Sequence, residues 1–212
     1  MGYSTVFFDL DGTLTDSGEG IINCAQLALE HFGISVPSRE VLRVFVGPPL
    51  RDSFIRFGVP SDQVEEAVRV FRSRYLTVGK FENVPYPGVE QMLARLQNAG
   101  IRLFVATSKP ESTACEILEK FGLSRYFEKI CGATMDGSRD SKSAVISWLL
   151  EKAGEVSRPV MVGDTAFDVQ GAASHAIEAI GVSWGYGDVR QMEDAGAIAI
   201  VNSPEELAAL LL

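Results

Sequence analysis

The chain has little of what soft-metal sites and stapled folds require: two histidines and three cysteines among 212 residues. Cys24, Cys115 and Cys131 form an odd set at wide spacings with no CxxC pair, which argues against a disulfide framework. A structural zinc needs four ligands, and only His31 and His175 could supplement those thiols, at positions unlike any zinc motif. Basic residues are also short, 19 against 28 acids for a net charge of −9. With no Lys/Arg cluster, the chain lacks the basic face that a polyphosphate backbone demands, so no nucleic-acid partner is expected. No apolar run approaches the roughly 20 residues that cross a bilayer. The opening Met1-Gly2-Tyr3-Ser4-Thr5 carries no basic segment, and Val6-Phe7-Phe8 runs straight into Asp9, unlike a signal peptide. The expectation is a cytoplasmic protein with no membrane contact, and no protein partner is predicted.

What the chain does have is 46% hydrophobic residues, ample for a sizeable core. Short apolar runs at Val6–Leu10, Arg102–Ala106, Val160–Val162, Ile177–Ile180 and Ile198–Val201 read as buried strands. Helical patterns lie between them: Pro87–Gln97 closed by Gly100, Pro110–Phe121 closed by Gly122, and Ser141–Ala153 ending before Gly154. Strand and helix in alternation imply parallel pairing with right-handed crossovers, hence a doubly wound α/β sheet. From Ser17 to Tyr86 no strand is predicted. Four helical segments follow one another there, Ile21–Phe32, Ser38–Phe45, Leu50–Phe57 and Ser61–Val78, the last with Ser61 as N-cap. Four helices are too many for one crossover. The predicted division is therefore a core of residues 1–16 and 87–212 with an inserted helical cap over 17–86.

Chemistry concentrates where the predicted strands end. Asp9 follows an apolar run that cannot keep a carboxylate buried within it, Asp11 lies two positions on, and Gly12 permits a tight turn. On its own this reads equally as a polar turn. The run at Val160 leads into Gly163-Asp164 with Asp168 four residues later, although an acid at a helix start is also a common cap. Thr107 and Ser108 precede a helix N-terminus, a ready anion site. Lys142 opens a helix, where its charge opposes the macrodipole and asks for another explanation than capping. Acids brought to about 4 Å repel by roughly 1–4 kcal/mol per pair. A hard divalent cation relieves that repulsion, and oxygen-only ligands favour Mg²⁺. Metal, amine and helix N-termini converging on one point describe a phosphoryl site.

With these motifs in order, the sequence resembles the haloacid dehalogenase superfamily of phosphohydrolases over essentially its whole length. Asp9-Leu10-Asp11-Gly12-Thr13-Leu14-Thr15-Asp16-Ser17 resembles the family's first motif, Thr107 its second, Lys142 its third, and Gly163-Asp164 with Asp168 its fourth. The resemblance implies that Asp9 is a nucleophile forming an aspartyl-phosphate, and that Asp11 protonates the leaving alcohol and then activates water. It implies Mg²⁺ held by Asp9, the Asp11 backbone carbonyl and Asp164, with Asp168 in its outer shell or as an occasional ligand. Thr107 and Ser108 would hold phosphoryl oxygens beside Lys142. The segment Phe45–Phe54 resembles caps of phosphoglycolate-phosphatase-like proteins, with Gly47 in a rigid turn and Arg51 either reaching an anionic substrate or paired at the surface with Asp52 or Glu40. The implied substrate is a small phosphorylated metabolite, phosphoglycolate-like or a nucleoside 5′-monophosphate. A phosphosugar mutase of the β-phosphoglucomutase type shares every one of these catalytic residues and stays open, as does a non-catalytic binding module.

Overall fold

In the computed structural model, which describes residues 2–36 and 38–212, the chain opens with strand β1 (Thr5–Phe8) and a two-residue strand β2 (Thr15–Asp16). Helices α1 (Gly18–His31), α2 (Leu50–Arg56) and α3 (Val64–Tyr75) follow, after which β3 (Val84–Pro85) pairs antiparallel with β2. Helix and strand then alternate through α4 (Val89–Asn98), β4 (Arg102–Pro110), α5 (Glu111–Lys120), β5 (Lys129–Ala133) and α6 (Lys142–Ala153). The chain finishes with β6 (Pro159–Gly163), α7 (Ala166–Ala173), β7 (Glu178–Val182), α8 (Val189–Asp194), β8 (Ala199–Val201) and α9 (Pro204–Leu211).

Six strands form one parallel sheet in the order β5-β4-β1-β6-β7-β8, the doubly wound α/β architecture that the alternation implies. Strand periodicity divides its side chains between two faces. Val6, Phe8, Leu103 and Val105 pack with α4, α5 and α9 on one face. Phe7, Phe104 and Met161 pack with α6, α7 and α8 on the other. The chain leaves β1 toward β4 and β5, then returns to β6 on β1's other side. Order reverses at β1, and such a switch point opens a crevice at the strands' carboxyl ends.

A third apolar cluster lies among α1, α2 and α3 and includes Ile21, Phe45, Phe54, Phe71 and Tyr75. Two of its ring pairs meet edge-on, Phe45 with Phe54 at 5.1 Å and Phe54 with Phe71 at 6.3 Å between centroids.

Several local expectations need correction. The predicted helix over Ser38–Phe45 is a 3-10 turn over Glu40–Phe45. Ser61–Gln63 is likewise a 3-10 turn, so α3 begins at Val64 and Ser61 does not cap it. α3 also stops at Tyr75, short of Val78. The segment expected to hold no strand contains β3, whose two residues are too few to show a period. β5 was not predicted, since Lys129-Ile130-Cys131-Gly132-Ala133 neither alternates nor forms an apolar run. β4 continues beyond Ala106 to Pro110, with a register irregularity between Thr107 and Pro110.

Candidate active site

The sheet's carboxyl edge gathers the polar residues that the apolar core excludes. Asp9 follows β1 directly and Asp164 follows β6, while Thr107 and Lys109 lie within the last turn of β4. All four are buried. Gly12 makes the approach of the first and last of these segments possible. Its φ is +80°, and a Cβ there would lie 2.1 Å from Asp164 Oδ2. Lys142 is the first residue of α6, a helix capped by Ser141, whose Oγ accepts from the Ala144 amide at 3.2 Å.

Lys142 explains itself through its partners. Its buried ammonium lies 2.9 Å from Asp9 Oδ1 and 2.7 Å from Asp168 Oδ1, and it donates to the Ala106 carbonyl at 2.9 Å. Burial alone would push the amine toward neutrality, but Asp168 and Asp9 more than offset that, and its pKa rises. Asp168 is fixed in turn by a capping box on α7: its Oδ2 accepts from the Thr165 amide at 3.1 Å and from Thr165 Oγ1 at 2.8 Å. Thr107 Oγ1 accepts from the Lys109 amide at 3.2 Å.

Asp9, Asp164 and Asp168 each offer a carboxylate oxygen within 4.8 Å of the others. Asp164 accepts from the Tyr186 amide at 2.8 Å and Thr13 Oγ1 at 3.3 Å. Even so its pKa is pushed well up, by burial first and then by Asp168 and Asp9. Beyond the Lys142 ammonium, Asp9 Oδ1 and Asp168 Oδ1 have no partner among the described residues. Buried, mutually repelling and oxygen-only, this donor set fits a hard divalent cation such as Mg²⁺ and offers nothing to a soft one. The side chain of Asp11 stands apart from the cluster. Its Oδ2 lies 2.7 Å from Lys109 Nζ, and its Oδ1 is buried without a partner among the described residues.

A chamber of about 350 Å³ opens over this edge. Asp9, Asp11, Thr107, Ser108 and Lys109 line it from below, and Phe45, Gly47, Arg51, Phe71 and Tyr75 from the helical side. Gly47 takes φ +102°, which the Gly-Pro-Pro turn needs and other residues resist. Arg51 is paired with neither Asp52 nor Glu40. It forks onto Glu65 of α3, with Nε–Oε1 2.5 Å and Nη2–Oε2 3.0 Å. In the sequence Tyr75 reads as an inward-facing residue of the Ser61–Val78 helix and Thr13 as part of the first motif, but neither has a site role there, nor do Lys109 and Tyr186. Lys109 is legible only as a lysine beside the hydroxyl pair, and Tyr75 and Tyr186 sit in elements whose approach the sequence does not announce.

A doubly wound sheet with buried acids and an amine at its switch point defines an α/β protein with a charged site at the sheet's carboxyl edge. Residues 6–182 match the profile of the haloacid dehalogenase-like hydrolases, and the chain belongs to that family. It is 45% identical over 183 residues to the tyrosine-protein kinase PtkA of Mycobacterium tuberculosis, covering 86% of this chain and 62% of that one. It therefore spans less than two thirds of that relative's length. It is 39% identical over 189 residues to a 5′-nucleotidase of Pseudomonas aeruginosa, covering 88% and 86% of the two chains. A crystal structure from Clostridium acetobutylicum, described as a predicted phosphatase, superposes with a TM-score of 0.95 at 39% identity, over 100% of this chain and 99% of the other.

Proposed function

We propose that this chain is a Mg²⁺-dependent phosphatase that hydrolyses a small phosphomonoester through a phosphorylated Asp9. The observation that carries this reading is the ammonium of Lys142 set between Asp9 and Asp168 at the edge of a chamber that also holds Thr107 and Asp11. Residues 1–16 and 87–212 serve as the catalytic core, and residues 17–86 as the cap that roofs it. Asp9, Asp164 and Asp168, with the backbone carbonyl of Asp11, would hold the metal, which when bound supplies positive charge against the acids and the phosphoryl oxygens.

The residues then divide the work. An Asp9 carboxylate oxygen attacks phosphorus and the bond from phosphorus to the ester oxygen breaks. The electron pair leaves on that oxygen, and a proton from the Asp11 carboxyl neutralises it. Lys142 and the Thr107 hydroxyl stabilise the charge on the transferring group, and Ser108 lies beside them in the chamber. Water entering after the alcohol departs gives its proton to Asp11 as it attacks the acyl phosphate. Inorganic phosphate leaves and the Asp9 carboxylate is restored. Gly47 and Arg51 face the leaving group, which is phosphoglycolate-like or a nucleoside.

The test is phosphate release from a panel of monoesters, with Mg²⁺ and with EDTA. Metal-dependent release is expected, ranked by the shape of the leaving group. Release that persists in EDTA would overturn the metal's part. A second reading, transfer to a hydroxyl acceptor as in a phosphosugar mutase or a tyrosine kinase, draws on the likeness to PtkA. It would show as phosphorylated acceptor with little free phosphate.

A further inference from the structure

The site contains two buried lysines, and the steps above use only Lys142. Lys109 stands two residues past Thr107, its side chain 4% exposed, and it reaches from the end of β4 to the acid at the end of β1. One contact of its ammonium is Asp11 Oδ2 at 2.7 Å. The other is the hydroxyl of Tyr75, the last residue of α3, over whose ring it also lies 4.7 Å from the centroid. Tyr75 is itself stacked on Phe71 at 5.2 Å, within the apolar cluster of the helical layer. A buried lysine costs stability unless its charge is matched. Here Asp11 and Tyr75 match it so well that its pKa is raised despite burial. No other link between the helical layer and a carboxylate of the sheet edge is of this kind among the described residues.

The consequence concerns orientation. With Oδ2 held by Lys109, Asp11 keeps Oδ1 free of partners among the described residues, buried at the wall of the chamber. A general acid must be held within hydrogen-bond reach of the oxygen it protonates, and a rotamer change of one torsion removes it. Tyr75 belongs to the helical layer, so the Lys109 contact ties the pose of Asp11 to the seating of that layer.

We propose that Lys109 is a positioning residue, bound to Tyr75 so that Asp11 presents its free oxygen to the leaving group only when α3 is seated over the sheet edge. This rests on the reading of Asp11 as the proton donor. The contrasting role is a purely structural clamp between the layers, which would affect all substrates alike.

The experiment is a leaving-group series on wild type, Lys109→Met, Tyr75→Phe and Asp11→Asn, from p-nitrophenyl phosphate to a simple alkyl phosphate. It follows kcat/KM, which reports phosphoryl transfer to the enzyme and not the later hydrolysis. An activated phenol leaves without a proton, whereas an alkoxide does not. Lys109→Met should therefore lose about a hundredfold on the alkyl ester and less than about threefold on the nitrophenyl ester. Tyr75→Phe, which keeps the ring and drops the hydroxyl, should shift in the same direction by a smaller factor. Both should show a burst of nitrophenol, because hydrolysis also needs Asp11 in place. Equal losses along the series, or none, would overturn the positioning role. A leaving-group effect in Lys109→Met with Tyr75→Phe unchanged would overturn the tie to α3. Asp11→Asn separates the underlying reading: if that variant shows no leaving-group dependence, Asp11 is not the donor. Should Lys109→Met fail to fold, Tyr75→Phe alone decides.

Discussion

At the sheet edge Asp9, Asp164, Asp168, Lys109 and Lys142 are all buried. Lys142 pairs with Asp9 and Asp168 and Lys109 with Asp11, while Asp164 is held by hydrogen bonds from the Tyr186 amide and Thr13. The helical layer carries several of its charges toward solvent, although Lys80 is buried. Arg51 and Glu65 are 39% and 71% exposed, Arg69 and Glu66 69% and 39%. What the layer buries is Phe45, Phe54, Phe71 and Val68. The edge thus has its energy in specific pairs that tolerate no partial loss, because removing one partner strands the other in low dielectric. The layer has its energy in apolar area, which depends on volume and shape. Apart from the Lys109–Tyr75 contact, the first can stay constant while the second is reshaped.

The sharpest way to break that contrast is at Asp9. In Asp9→Asn an amide replaces the oxygen that would bond to phosphorus, while Lys142 keeps Asp168 and Ala106 as partners. Phosphate release should fall below one-hundredth of wild type with the thermal unfolding midpoint retained. Turnover above that level would remove Asp9 from the nucleophile's role.

The layer should answer in stability. Phe54 is fully buried and touches the rings of both Phe45 and Phe71. Phe54→Ala should cost about 3–5 kcal/mol in urea unfolding, the range for large aromatic truncations. The edge chemistry should survive this at temperatures where the variant is folded, with KM raised more than kcat is lowered. If kcat collapsed as in Asp9→Asn, the two regions would not be separable in function.

Much of the edge could be read from the chain because burial rules there are strict. An acid directly after an apolar run, as at Asp9 and Asp164, has nowhere to go but the strand's end. Lys142 stood out for opposing the dipole of its own helix. Lys109 did not, since a lysine before Pro110 reads as solvated, and its partner Tyr75 lies 34 residues away. β5 was invisible because Cys131 and Gly132 lack strand character, although Gly132 is where the backbone of Lys109 approaches closest, a Cβ there meeting its carbonyl at 2.5 Å. The helical layer was legible as apolar periodicity, but the expected helix at Ser38–Phe45 is a 3-10 turn over Glu40–Phe45, and a 3-10 turn over Ser61–Gln63 takes the place of the expected start of the next helix. Periodicity fixes a face, whereas a cap is decided by a few local hydrogen bonds.

The smallest expected effect lies at Arg51, where the two regions meet over the chamber. Its guanidinium is forked onto Glu65, which raises its pKa, and it stands at the wall where a substrate's distal group would lie. To bind a second anionic group it must exchange a carboxylate already in place for another, so most of the electrostatic gain cancels. Arg51→Ala should therefore leave kcat unchanged and raise KM by about threefold for substrates carrying a distal carboxylate or phosphate, with no change for neutral alcohol esters. Glu65→Ala should do the reverse, freeing the guanidinium and lowering KM for the acidic substrates alone. Equal KM values for both classes in both variants would leave the pair as a surface fork, and selectivity would then rest on the apolar wall of Phe45 and Phe71.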